Sequence, residues 1–188
     1  MIAQRSPGAA PVLRGTAEAL PIASNSADAA MALLTLHHWN DLDAGLREML
    51  RVAPRQVIFL FDAAETGRFW GMQYFPEALA LPSEQRAPDV ARVGAVLNVV
   101  QVQPVPIPID CTDGFGAAFW GRPEAYLDPQ VQAGMSWLAQ LTPDALDRGA
   151  ARLGGDLRSG RWDDRFGDLR EQASYDVGYR LVTAGDPD

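Results

Sequence analysis

Two uninterrupted apolar runs, separated by about twenty residues, constrain the fold of this chain more than any other feature. They occupy residues 29–36 and 57–61, and the second ends at Asp62. Apolar runs of this length without polar alternation are typical of strands that are covered on both faces, as in parallel sheets. The pair therefore predicts two neighbouring strands of an α/β sheet.

The segment between the two runs predicts an amphipathic helix. Asn40 or Asp41 provides its N-cap, and Pro54 ends it. Its apolar residues follow helical spacing and form one stripe, which consists of Leu42, Leu46, Met49 and Leu50. Strand, helix and strand in this order form a βαβ unit with a right-handed crossover.

The remaining segments extend and interrupt this sheet. Residues 11–14 form a short extended segment, and residues 66–97 are predicted to be mainly helical with breaks near three prolines. Pro104, Pro106 and Pro108 place strand 99–105 at a sheet edge, and alternation over residues 175–183 predicts the last strand. Between these strands lies an insertion, whose candidate helices cover residues 122–128, 131–141, 144–153 and 164–171.

Composition excludes several classes of function. Sixteen basic and twenty-four acidic residues give a net charge of -8, which argues against nucleic acid or an anionic membrane as a partner. All the basic residues are arginines, so no lysine can form a Schiff base. Cys111 is the only cysteine, which excludes an intramolecular disulfide and a multi-thiolate metal site. Without a signal-peptide pattern or an apolar stretch of membrane-spanning length, we expect a cytoplasmic location.

Three motifs point to one family. They are Gly15-Thr16-Ala17-Glu18-Ala19-Leu20-Pro21, then Asp28 with Leu34-Thr35-Leu36-His37-His38-Trp39, then Arg47-Glu48-Met49-Leu50-Arg51-Val52. In this order and spacing they resemble the class I S-adenosylmethionine (SAM)-dependent methyltransferases that act on small molecules. That family has a Gly-Asp-Ala-x-x-Leu-Pro turn, a Phe-Asp strand start, a His-His after the fourth strand and an Arg-Glu-x-x-Arg-Val helix. The resemblance covers residues 1–62, and segments 110–115, 122–127 and 176–181 are similar to a subgroup.

The resemblance implies a single methyltransferase domain over residues 1–188, with a Rossmann-like α/β sheet. Residues 1–109 would be a partial core, residues 110–172 a helical cap inserted before the last antiparallel strand, and residues 173–188 that strand. The family's glycine-rich loop and ribose-binding acidic residue match positions upstream of Met1, so the sheet is expected to be incomplete at the N-terminus. Either Met1 is internal to a longer reading frame, or the chain begins here and has lost cofactor binding.

The function implied is SAM-dependent methyl transfer to a small molecule. A non-catalytic remnant that acts as a binding or structural subunit is the alternative. The incomplete sheet would expose an edge of strand 29–36, which favours a homodimer. A hydrolase is disfavoured, because Ser136 lacks the glycine that completes a Gly-x-Ser-x-Gly elbow.

The resemblance also assigns cofactor contacts. Thr16 stands where the family has an aspartate that meets the adenine amino group, and Ala17 matches the residue whose amide meets the ring. Glu18 and Leu36 complete the expected cofactor contacts. The candidate catalytic residues are His38 and His37, since a histidine can act as a base near neutral pH. Neighbouring side chains on an extended segment point apart, so no shared metal is expected.

Substrate contacts are expected at the carboxyl ends of the strands, where ligands bind in open α/β sheets. The insertion at residues 110–172 should cover this rim. The candidate substrate-binding residues are Trp39, Asp110, Asp113, Phe115, Trp120 and Arg122. Core packing is the alternative for the aromatic residues, and turn formation is the alternative for the two aspartates.

Overall fold

A computed structural model describes Gly8 and residues 10–185 of the chain. Its six strands are β1 (Ala29–Leu33), β2 (Arg55–Phe61), β3 (Val99–Pro104), β4 (Ile107–Pro108), β5 (Ser174–Tyr175) and β6 (Tyr179–Gly185). Four of them form a sheet in the order β1-β2-β6-β3, and β4 pairs with β5 separately. β1 is parallel to β2, whereas β6 is antiparallel to both of its neighbours. The predicted α/β class and the antiparallel last strand are confirmed.

The described residues form eight α-helices, most of them short. They are α1 (Leu42–Val52), α2 (Gly71–Tyr74), α3 (Pro82–Arg86), α4 (Val90–Gly94), α5 (Pro129–Gly134), α6 (Ser136–Ala139), α7 (Pro143–Ser159) and α8 (Arg161–Phe166). 3-10 helices cover Leu36–His38, Ala63–Arg68, Pro76–Ala80, Pro123–Leu127 and Gly167–Glu171. None of the described helices has the length and apolar character needed to cross a membrane.

The helix α1 follows from its capping and apolar pattern. The Asp41 carboxylate accepts a hydrogen bond from the Ala44 amide at 3.0 Å, which satisfies one of the free amides of the first turn. Leu46 and Met49 are buried against the sheet, while Leu50 is partly exposed. Val52 is the last helical residue before Pro54. The predicted βαβ order is therefore confirmed.

Two predicted strands are shorter than their apolar patterns suggested. The run 29–36 leaves the strand at Leu33 because Leu34 adopts a φ of 47°, and a 3-10 turn follows. The run 175–183 is divided by Gly178, whose φ is 113°, so only its second part joins the main sheet. Residues 11–14 are exposed and form no strand. The apolar patterns therefore indicated that strands lie in these segments, but not where the backbone turns.

In the described part of the chain, β1 is exposed both at one edge and on one face. β1 pairs only with β2, and the side chains of Met31 and Leu33 are 66% and 55% exposed. Coverage on both faces was thus a wrong prediction for β1, of which only the face with Ala30 and Ala32 packs into a core.

The two faces of the sheet pack into two separate cores. On one face, Ile58 and Val182 pack with Leu46 of α1 and Val93 of α4. The other face carries Tyr179 into an aromatic core that consists mainly of residues from the insertion and from the helices after β2. Side chains alternate between the faces as the pleat of each strand requires.

Residues 110–172 are largely helical, as predicted, and fold over the aromatic face of the sheet. The longest helix, α7, approaches Phe75 closely at Gly149. A Cβ at Gly149 would collide with the Phe75 ring and with the Tyr74 carbonyl. The glycine therefore sets how near α7 lies to the segment after β2.

Candidate functional site

A cavity of about 270 Å³ lies at the carboxyl ends of the parallel strands. Leu34, just after β1, and Leu60 and Phe61, at the end of β2, form one side of it. Tyr179 also faces it, because the antiparallel β6 begins at the edge where β2 ends. This is the rim where ligands bind in open α/β sheets.

The other walls come from two segments that pack over the rim. Met72 of α2 and Glu84 of α3 belong to the helices after β2. Phe115 and Trp137 belong to the insertion. Most of these groups are apolar, and a pocket of this kind with a few convergent polar groups is typical of small-molecule sites.

His37 and His38 reach the cavity from the 3-10 helix Leu36–His38. Their ring centroids are 3.9 Å apart, so the two side chains do not point in opposite directions as an extended chain would require. His37 is half-buried and His38 is exposed. Burial lowers the pKa of His37, and the positive charges of His38 and Arg86 lower it further. His37 is therefore neutral at neutral pH and can accept a proton.

Glu84 brings the only carboxylate to the described walls of this cavity. Burial raises the pKa of its half-buried side chain. Beside it, the Ser83 hydroxyl is buried and has no hydrogen-bond partner among the described residues. Both polar groups are thus left to interact with whatever occupies the cavity.

Tyr179 forms the wall that adjoins the sheet. Its ring packs against Phe59, Phe61 and Phe115 at centroid distances of 5.5, 5.4 and 5.3 Å. Burial raises the pKa of the Tyr179 hydroxyl, and the nearby negative charge of Glu84 raises it further. The hydroxyl is therefore protonated and available as a hydrogen-bond donor.

Comparisons with known proteins decide the family. A crystal structure from Anabaena variabilis ATCC 29413, described as a methyltransferase from an antibiotic biosynthesis pathway, is 30% identical to the chain. The match covers 93% of this chain and 72% of that one, with a TM-score of 0.80. This chain belongs to the class I methyltransferases. The family model for a methyltransferase domain also matches residues 1–61.

Two further solved structures resemble this methyltransferase more distantly. The YcgJ protein from Bacillus subtilis is 17% identical, with a TM-score of 0.46 and coverage of 93% of this chain and 70% of that one. A methyltransferase candidate from Bacillus halodurans C-125 is 14% identical, with a TM-score of 0.48 and coverage of 94% and 78%. No curated protein matches the sequence.

Hydrogen bonds connect the first two motifs of the methyltransferase. The Glu18 carboxylate accepts hydrogen bonds from the amides of Asn40 at 2.7 Å and Asp41 at 3.2 Å. Its pKa is lowered first by a hydrogen bond with its own backbone amide, then by those from Asp41 and Asn40 and by one with the Thr16 side chain, so the charged form is favoured. The Glu18 carboxylate thus holds the start of α1, and its predicted cofactor contact stays a prediction. The exposed Thr16 and the half-buried Ala17 are thereby kept beside the segment that follows His38.

A second network connects the third motif to the first. Arg51 and Glu48 form two parallel hydrogen bonds of 2.6 and 2.8 Å on α1. The Glu48 carboxylate also accepts from the Leu20 amide at 2.8 Å, and Arg51 donates to the carbonyls of Leu20 and Ile22. The charge pair therefore fixes the turn that ends the first motif, rather than serving the cavity.

Four of the predicted site residues meet at the cavity: Leu36, His37, His38 and Phe115. Trp39 does not. Its ring packs against Gly45 of α1, and its other side borders a neighbouring open groove. Glu84 and Tyr179 were missed as site residues. Tyr179 belonged to a recognised strand pattern, whereas Glu84 lies on a short helix between two prolines and carries no motif.

The remaining predicted substrate residues lie outside the cavity. Trp120 is fully buried in the aromatic core, where its indole donates to the Ile107 carbonyl at 2.9 Å. Arg122 donates to the Cys111 carbonyl and lies over an aromatic ring of the insertion. Asp110 and Asp113 are exposed, and Asp113 borders only a surface groove. The structure therefore does not bring these four residues to the cavity, and their substrate roles stay predictions.

Proposed function

We propose that the chain transfers a methyl group from SAM to a small-molecule acceptor bound in the cavity. Membership of the class I methyltransferases supports the reaction. The observation that supports the acceptor class is the cavity itself, which is mainly apolar, has a volume of about 270 Å³ and receives polar groups from His37, Glu84 and Tyr179. Small-molecule sites share this composition and have volumes of about 300–1,000 Å³.

The described residues fit part of a SAM site. Thr16 is exposed, and its side chain hydrogen-bonds to Glu18, whose carboxylate also holds this turn against Asn40, three residues from His37. Thr16 and Ala17 would hold the adenine, and Leu36 would contact the cofactor between this turn and the cavity. When bound, SAM supplies an electrophilic methyl group on a sulfonium. Methyl transfer by displacement depends mainly on positioning, which the rigid strand ends provide.

The chain's own residues then bind and deprotonate the acceptor. The aromatic walls exclude water and orient an apolar body, while Tyr179 donates a hydrogen bond from the side of the sheet. The neutral His37 can accept a proton from an acceptor that loses one. The exposed His38 connects this position with solvent, so that the proton can leave.

Titration of the 188-residue protein with SAM and with S-adenosylhomocysteine tests the proposal. Calorimetry measures the affinity, and thermal unfolding should show stabilisation that follows ligand concentration. At one hundred times Kd the gain is about 2.7 kcal/mol, or about 5–10 °C for a chain of this size. The variant Thr16→Ala should bind about fivefold more weakly, whereas Thr112→Ala, another exposed threonine, should bind as the wild type does.

A folded sample without any shift at millimolar ligand would contradict the proposal. That result would favour the alternative function, a non-catalytic binding or structural subunit. Circular dichroism of the same sample distinguishes it from a protein that is simply unfolded.

A further inference from the structure

Glu84 carries a negative charge that nothing in the described cavity compensates. Its carboxylate lies on α3 and lines the same cavity as Tyr179. Among the described residues it forms no ion pair, and burial is the only influence on its pKa, which burial raises. The neighbouring arginine on α3, Arg86, is exposed and acts on His37 instead.

The groups around this carboxylate suit a cation. Aromatic faces attract ammonium groups, and a carboxylate beside such faces adds a charge-assisted hydrogen bond. Five aromatic side chains line the cavity: Phe61, Phe69, Phe115, Trp137 and Tyr179. The buried Ser83 hydroxyl next to Glu84 offers one more acceptor without a partner among the described residues.

The energetics favour a charged ligand over a neutral one. A half-buried carboxylate loses hydration and gains nothing in return while it stays unpaired. A neutral hydroxyl group would give it one ordinary hydrogen bond, whereas an ammonium group would give it a hydrogen bond and an opposite charge. A neutral His37 adds no positive charge that would repel the cation, and the positive charge of His38 lies on an exposed side chain.

We propose that the acceptor is a primary or secondary amine on an apolar body, which enters as an ammonium ion and binds to Glu84. Methylation of the amine rests on the proposed methyl transfer, whereas binding of the amine to Glu84 does not. The volume of about 270 Å³ admits a body of about one aromatic ring with a short side chain.

The carboxylate also has a proton to accept. An ammonium nitrogen has no free electron pair, so one N–H bond must break before the nitrogen can be methylated. Glu84 accepts this proton, which turns the ion pair into a neutral amine and a neutral carboxylic acid. The proton then passes from Glu84 to water. The raised pKa of Glu84 favours this step, because it brings the carboxyl closer to the amine in proton affinity.

Binding of two matched probes tests the inference without any cofactor. Phenethylamine carries the ammonium group, and 2-phenylethanol replaces it by a neutral hydroxyl on the same body. Calorimetry with the 188-residue wild type at pH 7 should give an affinity for phenethylamine that is about 10- to 100-fold higher. Glu84→Gln should remove this preference and leave the affinity for 2-phenylethanol unchanged. Glu171→Gln, which removes an exposed carboxylate outside the cavity, should keep the preference.

Equal affinity of the wild type for the two probes overturns the inference, as does the absence of phenethylamine binding at millimolar concentration. This comparison needs no variant, so it decides the matter even if Glu84→Gln fails to fold. We expect Glu84→Gln to weaken amine binding more than SAM binding. If SAM binding falls more, the carboxylate serves the sulfonium and the inference is wrong. SAM binding without an amine preference contradicts the inference alone, whereas an amine preference without SAM binding contradicts only the proposed methyl transfer.

Discussion

Two tryptophans of the insertion provide a matched test of where the cavity ends. Trp120 and Trp137 are 0% and 4% exposed, and their indoles donate to backbone carbonyls at 2.9 and 3.0 Å. Only Trp137 lines the cavity. Replacing each by phenylalanine should therefore affect stability in both variants but ligand binding in one.

The expected magnitude for Trp120→Phe follows from its two losses. The Ile107 carbonyl loses a buried donor, which costs about 1–3 kcal/mol, and the smaller ring leaves a void that costs about 1 kcal/mol more. The free energy of unfolding should fall by about 3 kcal/mol, and Tm by about 10 °C. Trp137→Phe should cost less, because the Tyr126 hydroxyl also donates to the Gly116 carbonyl, at 3.5 Å.

Urea unfolding gives the stability of each variant, and calorimetry gives its affinity for phenethylamine. We expect Trp120→Phe to bind as the wild type does at a temperature where it is folded. Trp137→Phe should change the affinity by about fivefold or more, since it alters an aromatic wall. If Trp120→Phe changes the affinity as much as Trp137→Phe does, then Trp120 is not a core residue separate from the site.

Three further predictions concern stability and protonation. Gly149→Ala should destabilise the protein by more than about 1 kcal/mol, because its Cβ would collide with the buried Phe75 ring. Gly155→Ala in the same helix has open space around it and should stabilise the protein by up to about 1 kcal/mol. Urea unfolding measures both changes. The pKa of Glu48 is lowered from 4.5 to about 2, first by its hydrogen bonds with Arg51. The stability that this carboxylate contributes is therefore present above pH 4.5 and is lost as the pH falls towards 2. Glu48→Gln should flatten that part of the pH dependence of the unfolding free energy. Arg86→Gln should raise the pKa of His37, which NMR titration of its imidazole measures, and an unchanged pKa would show that the guanidinium does not act on the ring.

Local sequence patterns predicted the position of helix α1, whose capping and packing residues lie close together in the sequence. Helix α1 has its cap, its apolar stripe and its terminating proline within fourteen residues, so its position followed from them. The residues at which the apolar strands end could not be predicted from local patterns. The positive φ of Leu34 is unusual for leucine, and the Leu34 amide donates to the carbonyl of Phe59 on the neighbouring strand at 2.8 Å, a long-range contact that no short-range pattern records.

The sequence predicted the parts of the site that the motifs carry, and Phe115 as well, but it did not predict Glu84 or Tyr179. The motif resemblance identified His37 and His38 at the rim, and both line the cavity. Glu84 and Phe115 lie 31 residues apart on different segments, and long-range packing alone brings them to the same cavity. Phe115 and Trp120 lie only five residues apart in the sequence. One lines the cavity and the other is buried in the core, and this difference depends on the tertiary fold.

The hydrogen bonds among the motifs explain why the resemblance identifies the fold better than the substrate. Glu18 holds the start of α1, and the pair of Glu48 and Arg51 holds the turn at Leu20. These motif residues keep the strand-end loops in place, and that requirement is the same whatever the acceptor. The groups that would select an acceptor, Glu84 on α3 and the aromatic residues of the insertion, lie outside the motifs. A chain can therefore keep the family's framework while the chemistry of its acceptor depends on segments that pack over the rim.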